Sequence, residues 1–599
     1  MPLIREKDDE AGVEDPGSLS GSFRLRAFCS CGKEVDDQGR ISGTFTGTGQ
    51  GKQGEIQVDV MIDRNQIQHI EILSHNEIPG FDTAMVQMSD EILSKNSLQV
   101  EPVSGATYTS QGFLQAVHNA LDQAGLSEQQ LGWSDEEKNE QEMECDVLIV
   151  GGGGAGFAAA IEALSQSEDE VLIVEKMSFG GGNTRMSGGE FAAPLNWVQR
   201  QEGIDKDSPD LFYDDLMKGG QQLGNPELVR ILAQNALPNA QWLRDFVGVQ
   251  YRDYQSWYGG HTVARTLWPI GDGPQYVDTL IKKAESLGVQ VEYNTRAERF
   301  LQDESGRVIG IEATRGGRPL RFYARKGVIL TTGGFGANVE MRMQYDTHWN
   351  KLDEKIPTTN SPAITGDGLR MAQAIGAQLI GMEYIQLYPV NNPATGNYYF
   401  LDYARLTANA LLVNKEGRRF VDEKETRDNL SEAALNQTGA MIYELIEQSV
   451  VDEMQLDETI EAEVQRCYDQ GVLAMGTLQE CAAFFDIPPA GLEAAVNRYN
   501  QYAAKGSDPD FGRKDQLQPL GEGPYMMFSA VVSVHHTMGG VQIDTNARVL
   551  DGQGEPIPGL YAAGEVTGGI HGANRLGSCS IPDTVTFGRI AARSALAMK

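Results

Sequence analysis

Along this chain the pattern of apolar and polar residues changes character near residue 145. Before it, Ile56 to Ile62 and Ile67 to Leu73 alternate with the two-residue period of half-buried strands, and Asp63-Arg64-Asn65 between them reads as a hairpin turn. A helical stretch follows near Ala84 to Lys95. Phe113, Val117 and Leu121 then recur at helical spacing, with Thr109 or Ser110 placed to cap that second helix. After residue 145 the alternation stops. Val147 to Val150 and Val171 to Val174 are unbroken β-prone runs, as expected of parallel strands covered on both faces, and a helix begins between them near Ala155. Val328 to Asn338 is a further strand running into glycines, and Gly559 to Gly577 reads as strand, acid and turn. The pattern predicts an α/β main body preceded by a small α+β unit. The first 22 residues, acidic and polar, read as a disordered tail, and residues 127 to 143 as a linker.

The first strand of the main body ends in Gly151, Gly153 and Gly156, spaced G-x-G-x-x-G. In such a turn the first glycine permits the tight bend and the second lets backbone approach a pyrophosphate. The third packs helix against sheet, so that the free N–H groups at Gly154 and Ala155 face the phosphates. Glu175 closes the second strand about 20 residues on, where an acid takes a ribose hydroxyl and so favours an unphosphorylated adenosine ribose. A glycine turn in an ordinary βαβ unit is the plainer alternative. Strand, helix, second strand and acid together favour a dinucleotide, with FAD and NAD both open at this point.

Composition narrows the partners. The 599 residues leave room for several domains. With 49 Lys and Arg against 84 Asp and Glu, the formal charge is −35, which argues against nucleic acid and anionic membrane. The six cysteines lack zinc, haem or iron–sulfur spacing. No apolar run reaches bilayer length, so no membrane insertion is expected. The N-terminus has no apolar signal core; the expectation is a cytoplasmic protein, or a periplasmic one if a leader has been removed.

Residues 41 to 126, ending in SGATYTS, resemble the FMN-binding domain of the C subunit of sodium-translocating NADH:quinone reductase and of urocanate reductase-like enzymes. The resemblance implies FMN joined by a phosphodiester to the last hydroxyl of D-x-x-[ST]-G-A-[ST]. That hydroxyl falls on Thr107, with Thr109 as runner-up and Glu101 where the family has Asp. It also implies a flavin transferase for maturation.

GGGNTRMSGG (180–189), TGDG (365–368), HHTMGGV (535–541) and HGANRLG (571–577), with the fingerprint, resemble soluble fumarate reductases and related 2-enoate reductases across residues 144 to 599. The resemblance implies FAD and a discontinuous layout. An FMN-binding domain spans 23–127 and a linker 128–143, the FAD domain 144–357 and 536–599, and an inserted α+β cap 358–535. It places FAD on Gly151, Gly153, Gly154, Ala155, Gly156, Glu175, Lys176, Asn183, Thr184, Ser187, Gly188, Gly189, Thr332, Gly333, Asp367, His536, Glu565, Ser580 and Ile581. Ser178-Phe179-Gly180 replaces the histidine of covalent-FAD relatives, so non-covalent FAD is expected.

Reducing an activated C=C needs a hydride, cations for the carboxylate and a proton for the α-carbon. The resemblance assigns Arg575 and His535 to the carboxylate, Arg405 to protonation and Glu383 to the proton relay, with Gln386 where the family has a second arginine. Ser361 and Met382 stand where fumarate reductases hold a second carboxylate, which points to a monocarboxylic enoate with an aryl, imidazolyl or small tail. Electrons would pass from a donor protein through FMN to FAD. The alternatives are a fumarate reductase, or a flavin electron carrier with a vestigial pocket. His535, His536 and His571 lack metal-site spacing, and no metal is expected.

Overall fold

A computed structural model describes residues 33–598 apart from 37–38, 52–53, 76–81, 101–106, 128–129, 132–140, 316–317, 351, 454–457 and 515. The expected hairpin is present as Glu55–Asp63 and Gln66–Ser74, the middle of a four-stranded antiparallel sheet that Ile41–Gln50 and Glu34–Val35 extend. Arg64 and Asn65 both take positive φ at its turn, the geometry that matches strand twist. Helix Thr107–Ala124 lies across the strand Ile41–Gln50. Gly49 and Gly112 make that approach possible, since a Cβ on either would strike the other element's backbone. Ile56, Val58, Val60, Phe113, Val117 and Leu121 form the core between them.

The helix begins at Thr107, which corrects one expectation. Thr109 and Ser110 lie inside the first turns and are fully buried, so neither caps it. Residues 101–106 and the Thr107 side chain lie outside the described residues, as do the first 22.

In the main body Gln290–Glu292, Val171–Val174, Gln141–Val150, Arg318–Leu330 and Pro556–Ala562 run parallel in that spatial order. The strand expected from Val147 starts at Gln141, because Gln141 to Cys145 pair with Leu320 to Ala324; Gln141 to Met143, expected in a linker, therefore belong to the sheet. Helices Gly154–Gln166 and Ser580–Leu596 pack together against this sheet.

A second, antiparallel sheet has the order Ile385–Asn391, Tyr525–Thr537, Met441–Glu447, Ala410–Asn414, and Leu473–Gly476 also pairs with Tyr525–Thr537. Its thirteen-residue strand Tyr525–Thr537 continues past residue 535 to Thr537, whose N–H donates to Glu565 Oε1 at 3.0 Å. This strand carries His535 and His536 from the cap sheet to the nucleotide-binding body.

Candidate active site

The carboxyl ends of the parallel strands open into a long cleft that runs from Gly151 and Glu175 to His535 and Arg575. This is where open α/β sheets bind ligands. Gly151 turns at φ 109°, and Gly156 packs so close that a Cβ there would strike the Gly151 carbonyl. Glu175 accepts the N–H of Gly152 at 2.7 Å and of Met177 at 2.8 Å; burial nevertheless holds its carboxyl above the usual range.

An FAD fits this cleft on three grounds. Helices Gly154–Gln166 and Ser580–Leu596 start here with no side-chain cap, so the positive ends of their dipoles face the cleft, while the Gly154 N–H itself donates to Thr184 Oγ1 at 3.3 Å. Thr332 Oγ1 is buried without a hydrogen-bond partner at the rim of the sheet. Glu565, held by Thr537 N–H and by Asn183 Nδ2 at 3.0 Å, stands where it can take a sugar hydroxyl. The cleft is lined by Gly153, Gly154, Ala155, Lys176, Thr184, Ser187, Gly333, Asp367, His536, Ser580 and Ile581 as well. Lys176 spans to Asp367 at 2.9 Å. Gly156, Gly188 and Gly189 do not line it, and their missing side chains make room for Gly151, Tyr403 and Pro269 respectively.

Beyond the cleft, Arg575 lines a smaller cavity of about 360 Å³ together with Arg405, Arg427, Tyr258, Tyr388 and Leu430. Arg575 is 4% exposed, its Nε has no hydrogen-bond partner, and burial, then Arg427, lower its pKa to about 10. Gln386, in place of a second arginine, donates to the Arg575 carbonyl at 2.7 Å and to Asn574 Oδ1 at 2.8 Å, fixing the strand-to-loop seat of Arg575. Thr359 Oγ1 engages His535 Nδ1 at 2.8 Å, and burial, with Arg427 and Arg575 nearby, holds His535 well below the usual histidine pKa, so it is neutral.

Arg405 is 3% exposed and grips Asp402 in a fork, Nε to Oδ1 at 2.6 Å and Nη2 to Oδ2 at 2.7 Å, while Nη1 donates to the Glu423 carbonyl. Burial works against its charge, but Asp402 outweighs burial and the net shift is upward. Tyr388 Oη donates to Asp402 at 2.6 Å from the other side. Glu383 makes no hydrogen bond or ion pair with Arg405 among the described residues, and Glu383, Ser361 and Met382 line neither cavity. Met382 is buried in the main core; Ser361 N–H donates to Asn183.

Sequence reasoning missed Arg427. It is the first residue of helix Arg427–Leu435, sits 4.9 Å from the Tyr388 ring centroid, and forms no ion pair among the described residues. A cation at a helix N-terminus opposes the macrodipole, and that anomaly was the available signal. With Arg575 it brings two guanidiniums that form no ion pair among the described residues to a cavity whose lining also includes Glu425.

A sheet with a fingerprint turn, an extended dinucleotide cleft and an arginine-rich cavity beside it defines an FAD-dependent oxidoreductase. The chain belongs to the fumarate reductase-like flavoproteins: the FAD binding domain family matches residues 146–581, and the FMN-binding domain family matches 51–122. It is 40% identical to urocanate reductase of Eggerthella lenta over 97% of this chain and 98% of that protein. It is 32% identical to NADH:acrylate oxidoreductase of Vibrio harveyi over 92% of this chain and 61% of that one. The open conformation of a flavocytochrome c3 fumarate reductase superposes with a TM-score of 0.63 at 33% identity, covering 83% and 84% of the two chains. Among the described residues no helix is long and apolar enough to cross a membrane.

Proposed function

We propose that the protein reduces the C=C bond of a 2-enoate, with electrons passing from a donor protein through FMN on Thr107 to FAD. The observation that carries this reading is the pair of guanidiniums Arg575 and Arg427, without an acid partner among the described residues, beside neutral His535 and charged Arg405. Such a cavity suits one carboxylate held by a fork of donors. FAD, when bound, supplies the hydride for the β-carbon. Arg575 and His535 then hold the carboxylate and stabilise charge developing on it, while Arg405 gives a proton to the α-carbon in a cavity lined also by Tyr258, Tyr388, Leu430 and Leu576. The apolar and aromatic walls favour an aryl- or imidazolyl-acrylate, or acrylate itself, and the resemblance to a urocanate reductase and an acrylate oxidoreductase supports the same class.

One observation favours a second reading. Arg427 could hold a second carboxylate, as a fumarate reductase requires. Steady-state assays with reduced viologen on fumarate, urocanate, cinnamates and acrylate separate the two: the monocarboxylates should lead in kcat/KM, and fumarate as the best substrate would reverse the assignment.

A further inference from the structure

Arg405 is a poor acid as it stands, because Asp402 stabilises its charged form and would be left as a buried, uncompensated anion once the proton is gone. A proton must therefore arrive as one leaves. The residue assigned to that task from the sequence, Glu383, makes no contact of hydrogen-bond or ion-pair type with Arg405. Another acid does stand behind the pair. Glu444 lies on the central cap strand Met441–Glu447, between Ile442 and Ile446, with Leu412 and Phe528 as its cross-strand partners. It is 0% exposed, neither Oε accepts a hydrogen bond, and Oε2 is 3.9 Å from Arg405 Nε. A carboxyl this buried, facing the Asp402 carboxylate across a side-chain hydrogen bond that needs a proton between the two, has a chemical reason to be neutral.

Resting on the reading of Arg405 as the proton donor, we propose that Glu444 is the proton store behind it: a buried carboxylic acid that reprotonates Arg405 as Arg405 protonates the substrate. One Arg405 N–H bond breaks as the α-carbon C–H bond forms. The Glu444 O–H proton passes to the guanidine, directly or across Asp402, and Glu444 is left as a carboxylate until water restores its proton. Burial, then the facing Asp402, holds the Glu444 carboxyl well above the usual range, in keeping with a protonated resting state. The other groups facing it are Arg405 and Lys424, which favour its charged form, and Tyr399. Lys424 donates to the Arg405 carbonyl, and burial, with Arg513 and Arg405 nearby, lowers its pKa to about 7, so it opposes Glu444 only weakly above neutral pH.

Glu444→Gln keeps shape and neutrality but cannot release a proton. With FAD content and enoate KM within twofold of wild type, kcat should fall at least tenfold, and the alkaline fall of the wild-type rate, where Glu444 loses its proton, should vanish from the pH profile. Glu444→Asp should retain that alkaline fall with a reduced kcat, and it replaces the first variant if Glu444→Gln does not fold. Wild-type kcat and an unchanged pH profile in Glu444→Gln, or wild-type kcat in Glu444→Asp, would overturn the relay. If Arg405→Lys abolishes turnover while Glu444→Gln does not, the relay alone fails; if the reduced wild type is oxidised by no enoate, the functional reading itself fails.

Discussion

Replacing Arg427 by Gln separates binding from folding, because binding should change far more than stability. Two unit charges about 4 Å apart at an effective dielectric of about 20 interact by roughly 4 kcal/mol. Arg427 is only half-buried, and solvent screening reduces this to about 2 kcal/mol, the range of a charge-assisted hydrogen bond. Enoate KM should therefore rise about 30-fold, with kcat within about threefold, since the interaction is made in ground and transition states alike. Stability should change by less than about 1 kcal/mol, because the gain from removing a cation at the N-terminus of helix Arg427–Leu435 is offset by the loss of its contact with the Tyr388 ring, and no ion pair is lost among the described residues. Steady-state kinetics with reduced viologen and thermal unfolding of the FAD-loaded protein measure both. An enoate ester, lacking the carboxylate charge, should show little change in KM. A carboxylate KM shifted by less than threefold, or an ester KM that rises as much as the carboxylate's, would refute the assignment of Arg427 to the anion site.

Two further expectations follow from other parts of the molecule. Protein made with a flavin transferase should gain the mass of one FMN less water, and Thr107→Ala should abolish the gain; an increment that persists would point away from Thr107, and buried Thr109 would need the helix start to open before it could take its place. Glu463, which accepts the N–H groups of Phe400 and Leu401 at 3.1 and 2.9 Å, has its pKa raised by burial to about 7. The folded protein therefore holds a proton that the unfolded chain releases near its usual value. The resulting stability is fully present below about pH 4.5 and is lost as pH rises through about 7, by roughly 3 kcal/mol. Urea unfolding across that range should show this fall, and Glu463→Gln should flatten it; a wild-type stability constant from pH 5 to 8 would contradict it.

The nucleotide half of the site was legible because its signals are local. Gly151, Gly153 and Gly156 act on each other within six residues, and Glu175 reaches back to Gly152 across one βαβ unit. The hairpin around Arg64 and Asn65 was legible for the same reason. The arginine cavity was legible only in part, since Arg405, Arg427 and Arg575 come from three elements brought together by the strand Tyr525–Thr537 and its neighbours. Arg427 looked like any solvated helix residue. Glu444 was not legible, because the pattern MIYELIE does not show that the strand is buried on both faces. The start of the strand at Gln141 was hidden because its polar first residues owe their place to pairing with Arg318–Leu330, not to burial.

In the proposed reaction Arg405 protonates an enoate whose carboxylate sits on Arg575. Single-turnover oxidation of the dithionite-reduced protein by an acrylate or cinnamate, followed at the flavin absorbance in wild type and in Arg405→Lys, tests it most directly. Loss of a positioned proton donor costs about two to four orders of magnitude. Arg405→Lys should bind FAD as wild type does, and its flavin should be reoxidised at least 100-fold more slowly. Reoxidation at the wild-type rate would contradict this assignment.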